Sequence, residues 1–232
     1  MISLQNVSKH YLAKKAVQDV TLHIPAGGIT GLVGENGSGK STILKMVSGL
    51  IHPSRGTLQV DQTPVNRRIA EKVAFLSELD AFYRFYTVQN MVDFQASQFR
   101  DFNRARAEEM LTFMKLDPDS KIKSLSKGNR GRLKIVLTLA RDAPVILMDE
   151  PLSGLDPMVR DSIVKSLISF IDVERQTVVM TTHEVNEMEP LFDRVIAIKD
   201  GKILGMAETE DIRTSQGLRV VDWMAEHYKN QD

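Results

Sequence analysis

The stretch Ile29-Thr30-Gly31-Leu32-Val33-Gly34-Glu35-Asn36-Gly37-Ser38-Gly39-Lys40-Ser41-Thr42 decides the fold. Its first five residues read as an apolar strand. Gly34 to Ser41 satisfies G-x-x-x-x-G-K-[ST] in full, and Thr42–Ser48 continues as a helical segment. In that strand–turn–helix setting the pattern has a mechanism. Glycines let the backbone curl so that successive N–H groups face phosphate oxygens, and the helix N-terminus adds partial positive charge. Lys40 is expected to reach the β- and γ-phosphates of a nucleotide and Ser41 to ligate Mg²⁺. Gly34, Glu35, Asn36, Gly37, Ser38, Gly39 and Thr42 complete the expected cradle.

Roughly a hundred residues on, Val145-Ile146-Leu147-Met148 runs into Asp149-Glu150. A short, wholly apolar run suits a strand covered on both faces. Acids at its C-terminal end reach the ligand crevice of an α/β sheet. Asp149 is expected to hold Mg²⁺, and Glu150 to act as general base on the attacking water.

Around these motifs the chain reads as β-rich at first, with strands at Ile2–Leu4, Ala16–Ile24, Ile29–Val33, Gly56–Val60 and Val73–Leu76. It turns helical between Val88 and Ala140, then alternates through Ser162–Ile171, Thr177–Met180, Val195–Ile198 and Lys202–Leu204. The order predicts an α/β fold: a P-loop, RecA-like parallel sheet core, an N-terminal antiparallel β subdomain and an inserted helical subdomain at about 87–141. Residues 1–232 are expected to form one domain closed by a helix at about 217–230, with Leu218, Val221, Met224 and Tyr228 on one face.

Composition narrows the function classes. Lys+Arg and Asp+Glu balance at 30 each, which offers no electrostatic case for nucleic-acid binding. There is no cysteine, so disulfides and thiolate metal sites are excluded. No stretch approaches the apolar length of a spanning helix, and the N-terminus lacks a signal-peptide pattern, so membrane association is expected only through a partner.

Taken together these residues resemble the nucleotide-binding subunits of ABC transporters over nearly the whole chain. Leu125-Ser126-Lys127-Gly128-Asn129 resembles the family signature, Pro151-Leu152-Ser153-Gly154-Leu155-Asp156-Pro157 the D-loop, His183 the switch histidine and Tyr11 the adenine-stacking aromatic. The resemblance implies an ATP-hydrolysing subunit that powers a separate polytopic transmembrane permease from the cytoplasmic face. It also implies head-to-tail closure with a second, identical or different, ATPase subunit. Ser126, Lys127 and Gly128 would then serve the γ-phosphate held opposite, Asp156 would couple the two sites, and His183 would sense the γ-phosphate. A soluble ATPase of a cytosolic assembly system shares nearly every motif and stays open as the alternative. A regulator without turnover is opposed by intact Lys40, Asp149, Glu150 and His183.

Two departures stand out. Lys127 and Asn129 replace the usual Gly and Gln of the signature, and Lys127 either adds charge near the opposite phosphate or faces solvent. Where the family carries a Q-loop glutamine, this chain has Glu78, expected to take over its catalytic and Mg²⁺-binding place. Some members of the type 2 export branch are similar at both places, which favours export. Phe82-Tyr83-Arg84-Phe85-Tyr86 is either a partner anchor or packing for the helical segment.

Overall fold

The computed structural model describes residues 1–12 and 14–229. A four-stranded antiparallel sheet, in the order β2-β1-β4-β5, is built from β1 (Ile2–Tyr11), β2 (Lys14–Ile24), β4 (Arg55–Val60) and β5 (Thr63–Pro64). The larger sheet has the order β10-β9-β3-β8-β7-β6. It comprises β3 (Ile29–Val33), β6 (Val73–Leu76), β7 (Val145–Asp149), β8 (Thr177–Thr182), β9 (Arg194–Lys199) and β10 (Lys202–Glu208). All its pairings are parallel except β9–β10, which closes as a hairpin.

The period of two along β7 separates the two cores. Val145 and Leu147 face the antiparallel sheet and α1 (Lys40–Val47), where they join Leu4, Leu32, Ile43 and Ile196. Ile146 and Met148 face the opposite side, toward α2 (Val88–Gln98), α3 (Arg104–Phe113), α4 (Lys127–Leu139) and α5 (Pro157–Phe170). Each fully buried aliphatic side chain contributes roughly 1.5–3 kcal/mol. The remaining helices are α6 (Val185–Met188), α7 (Thr209–Gln216) and α8 (Val220–Lys229). α8 begins at Val220, not at about 217; on it Trp223 is buried and Val221 and Met224 pack partly against the core, as does Leu218 in the segment before it; residue 230 of the expected closing helix lies outside the described residues. Among those residues no helix is long and apolar enough to cross a membrane.

Element types match the sequence reading, and the boundaries that differ do so for local reasons. The first strand continues past Leu4 to Tyr11 because register shifts at Leu4/Val7 and Val7/Lys9, with Asn6 at φ 50°, break the alternation without ending the pairing. α4 begins at Lys127, inside the signature, because the Ser126 hydroxyl accepts the Asn129 N–H at 3.1 Å. α5 begins at Pro157 rather than Ser162: Asp156 caps it, accepting the Val159 N–H at 3.1 Å, and proline occupies the first turn.

Candidate functional site

The phosphate loop spans the bend from β3 into α1. Gly39, the residue before the helix, has φ 110°, and a Cβ there would lie 2.5 Å from the Ala16 carbonyl oxygen. Gly39→Ala is therefore expected to strain the loop by about 1–3 kcal/mol and to abolish nucleotide binding. Thermal unfolding with and without a nucleotide analogue checks this; an unchanged nucleotide-induced stabilisation would contradict it.

Lys40, on the first turn of α1, is buried. Its ammonium donates to the Gly34 carbonyl at 2.7 Å and the Glu35 carbonyl at 3.0 Å, and lies 3.8 Å from Glu150 Oε1. Burial lowers its pKa; the nearby carboxylates of Glu150 and Asp149 work in the opposite direction. An incoming polyphosphate adds negative charge where that ammonium needs it.

Asp149 ends β7 only 1% exposed. Its Oδ1 accepts from the Ser41 hydroxyl at 2.8 Å and the Thr181 hydroxyl at 2.9 Å. Thr181 Oγ1 also accepts the Glu150 N–H at 2.9 Å, holding the elbow where Glu150 adopts φ 49°. That left-handed backbone turns the Glu150 side chain from the strand end toward the phosphate loop. Glu150 Oε2 meets His183 Nδ1 at 2.8 Å and, more weakly, the His183 N–H at 3.4 Å. Glu150 thus stands between the lysine and the histidine.

A cleft of about 510 Å³ opens over these groups, lined by Tyr11, Lys40, Ser41, Glu78, Glu150 and His183 among others, a volume within the usual range of ligand sites. Asn36, Gly37, Gly39 and Thr42 also line it. Glu35 and Gly34 instead border a neighbouring cavity, and the Ser38 hydroxyl is buried without a partner. Tyr11 is half-exposed at the rim, with the Lys9 ammonium 5.1 Å from its ring centre. Glu78 is exposed, but its backbone is fixed: Lys134 on α4 donates to the Ser77 carbonyl at 3.2 Å and the Glu78 carbonyl at 2.8 Å.

The signature residues do not reach this cleft within their own chain. Ser126 is exposed at the start of α4, with Gly128 in the free-donor first turn. Gly128 has a second reason to be glycine, since a Cβ would lie 3.0 Å from Val159 Cγ2 of α5. The Lys127 ammonium lies against Gly154 of the D-loop. Asp156 is engaged in capping α5.

Hard oxygen donors fit Mg²⁺. The Ser41 hydroxyl and the Asp149 carboxylate already converge, and among the described residues no group of three or more His, Cys, Asp or Glu forms a self-sufficient metal site. A divalent ion here would complete its shell with phosphate oxygens and water, as Mg²⁺ prefers. Thr181 was not singled out by sequence reasoning. Its only signal was its place at the end of the apolar run that precedes His183.

The sequence model described as ABC transporter matches residues 17–153, more than half of the chain. The chain belongs to the ABC transporter family. The choline transport ATP-binding protein of Bacillus subtilis (strain 168) is 32% identical over 225 residues, covering 91% of this chain and 58% of that protein. The Nod factor export ATP-binding protein I of Burkholderia orbicola (strain AU 1054) is 34% identical over 209 residues, covering 87% of this chain and 68% of that protein. This ABC chain therefore spans little more than half the length of the choline transport relative. A solved dimeric ATP-binding cassette, in a post-hydrolysis state with ADP and Pi, matches with a TM-score of 0.80 at 28% identity, covering 90% of this chain and 98% of that one. The family model ends at residue 153, so the D-loop aspartate and His183 of this ABC chain lie beyond it.

Proposed function

We propose that this ABC chain binds MgATP in the 510 Å³ cleft and hydrolyses it to ADP and phosphate, powering a separate transmembrane permease. The observation that carries the reading is the placement of Glu150 between Lys40 and His183 at the mouth of the phosphate loop. Tyr11 stacks on adenine, and Gly34, Glu35, Asn36, Gly37, Ser38, Gly39 and Thr42 supply the turn that wraps the phosphates. Lys40 binds the β- and γ-phosphates. Glu150 takes the proton of the attacking water, and His183 orients Glu150 and monitors the γ-phosphate. Mg²⁺, held by Ser41, Asp149 and Glu78, would neutralise charge on the transferring phosphoryl oxygens.

Ser126, Lys127 and Gly128 lie outside their own chain's cleft, which supports their serving a second ATPase subunit, identical or not, in head-to-tail closure with Asp156 at the junction. We read 87–141 as the helical subdomain of a single domain. The protein's place is peripheral, on the cytoplasmic face of the membrane. Export is the direction we infer, on the Lys127 and Glu78 departures. The direct test of the enzyme is Mg²⁺-dependent phosphate release from ATP; a folded protein that binds ATP but releases none would overturn the reading.

The permease dock is supported by the aromatic run after Glu78. Phe82, Tyr86 and Phe94 pack partly against the core, whereas Phe85 and Leu79 are each 71% exposed. Phe85 meets Tyr86 edge-on at 4.9 Å, and Tyr83 lies 5.2 Å from Tyr86 and 5.9 Å from Phe85 between ring centres. Phe85→Ala is expected to lower recovery of the membrane partner about tenfold or more, as for a central interface aromatic, without moving the melting temperature. Co-purification from gently solubilised membranes measures it. Recovery of soluble partners alone would move the reading to a cytosolic assembly ATPase.

A further inference from the structure

The D-loop and the switch segment leave neighbouring strands of the larger sheet, β7 and β8, and each ends beside a site residue: Leu155 precedes Asp156, and Glu184 follows His183. Among the described residues no main-chain hydrogen bond joins 151–156 to 183–188. Glu150, just before the first segment, reaches His183 with its side chain, and a second side chain spans the two segments themselves. Arg160, on α5, donates from Nε to the Leu155 carbonyl at 2.8 Å. Its Nη2 donates to Glu184 Oε1 at 2.6 Å, and its Nη1 meets both Glu187 carboxylate oxygens at 2.7 and 2.8 Å. The Arg160 and Glu184 side chains are 19% and 21% exposed, so water competes weakly for that pair, whereas Glu187 is 48% exposed and its bonds are more hydrated. Arg160 also borders the cavity of about 450 Å³ beside His183 and Glu35.

We propose that Arg160 is a positioning residue that ties the D-loop to the switch segment, so that Asp156 and His183 shift together when the cleft fills. This rests on the hydrolytic reading above. The planar fork suits such a tie because its donors diverge at fixed angles, so displacing the Leu155 carbonyl rotates the same plane that holds Glu184 and Glu187. Neither carboxylate touches the nucleotide cleft, so the effect falls on the chemical step and not on ATP capture.

The test uses the full chain. Arg160→Met is expected to lower kcat for MgATP about tenfold while KM stays within about twofold, the pattern of an interaction made in the transition state. Arg160→Lys restores only part of kcat, because one ammonium cannot hold both ends. Glu187→Gln, a milder change that keeps the fold if Arg160→Met does not, lowers kcat in the same direction by less. Hydrogen exchange over 151–157 and 183–188 is expected to rise in both segments together in Arg160→Met. Wild-type kcat in that variant, a rise confined to one segment, or a uniform loss of kcat, affinity and melting temperature would each overturn the proposal. If the wild-type chain itself releases no phosphate, the hydrolytic reading falls, and the exchange measurement still decides whether Arg160 couples the two segments.

Discussion

Glu150→Gln lowers ATP turnover by about 10³-fold while ATP remains bound, the loss expected when a positioned general base is removed. The amide keeps the size and can still meet His183 Nδ1, now 2.8 Å from Glu150 Oε2. What it cannot do is accept the proton of water. Binding persists because Lys40 holds its own carbonyl partners and the glycine turn is untouched. With hydrolysis blocked, ATP-bound subunits are expected to accumulate as a dimer. Phosphate release and size-exclusion chromatography with ATP read the two effects. A variant that turns over at the wild-type rate and elutes as a monomer would assign the base to another group.

Arg141→Ala is expected to cost about 3–5 kcal/mol, the penalty for stripping one partner from a buried ion pair. The guanidinium, 4% exposed, sits just past α4 and gathers three separate segments. Nε and Nη2 bind the Asp101 carboxylate at 2.8–3.1 Å, Nη2 also donates to the Ala70 carbonyl at 2.7 Å, and Nη1 to the Val73 carbonyl at 3.2 Å. Its carbon lies 3.9 Å from the centre of the Phe99 ring. Truncation leaves Asp101 without its cation and two carbonyls without donors. For a chain of this size the melting temperature falls by roughly 6–20 °C. Arg141→Lys recovers little, since an ammonium cannot fork. A melting temperature within about 2 °C of wild type would refute the assignment.

The phosphate loop and the Asp149-Glu150 strand end were legible because their chemistry is local. A glycine turn between strand and helix, or an apolar run ending in acids, carries its own geometry in a few consecutive residues. Helix starts were less legible: Ser126 and Asp156 as caps, with Pro157 in the first turn, were signals present in the sequence but outweighed by apolar periodicity that begins later. Lys127 was ambiguous because a flexible cation takes its meaning from what it faces, and what it faces is Gly154. The aromatic run admitted two readings, and the fold divides it: Phe82 and Tyr86 pack partly against the core while Phe85 is exposed.

By itself the sequence determined the nucleotide motifs, the α/β alternation and the order of elements, all set by short-range backbone preference and by periodic burial. Only the tertiary structure decided that Glu150 stands between Lys40 and His183, that the signature lies outside its own cleft, and that Arg141 and Arg160 tie distant segments. The reason is physical. A guanidinium's role is set by carbonyls and carboxylates that reach it from other elements, and those arrive only when the sheet and helices pack.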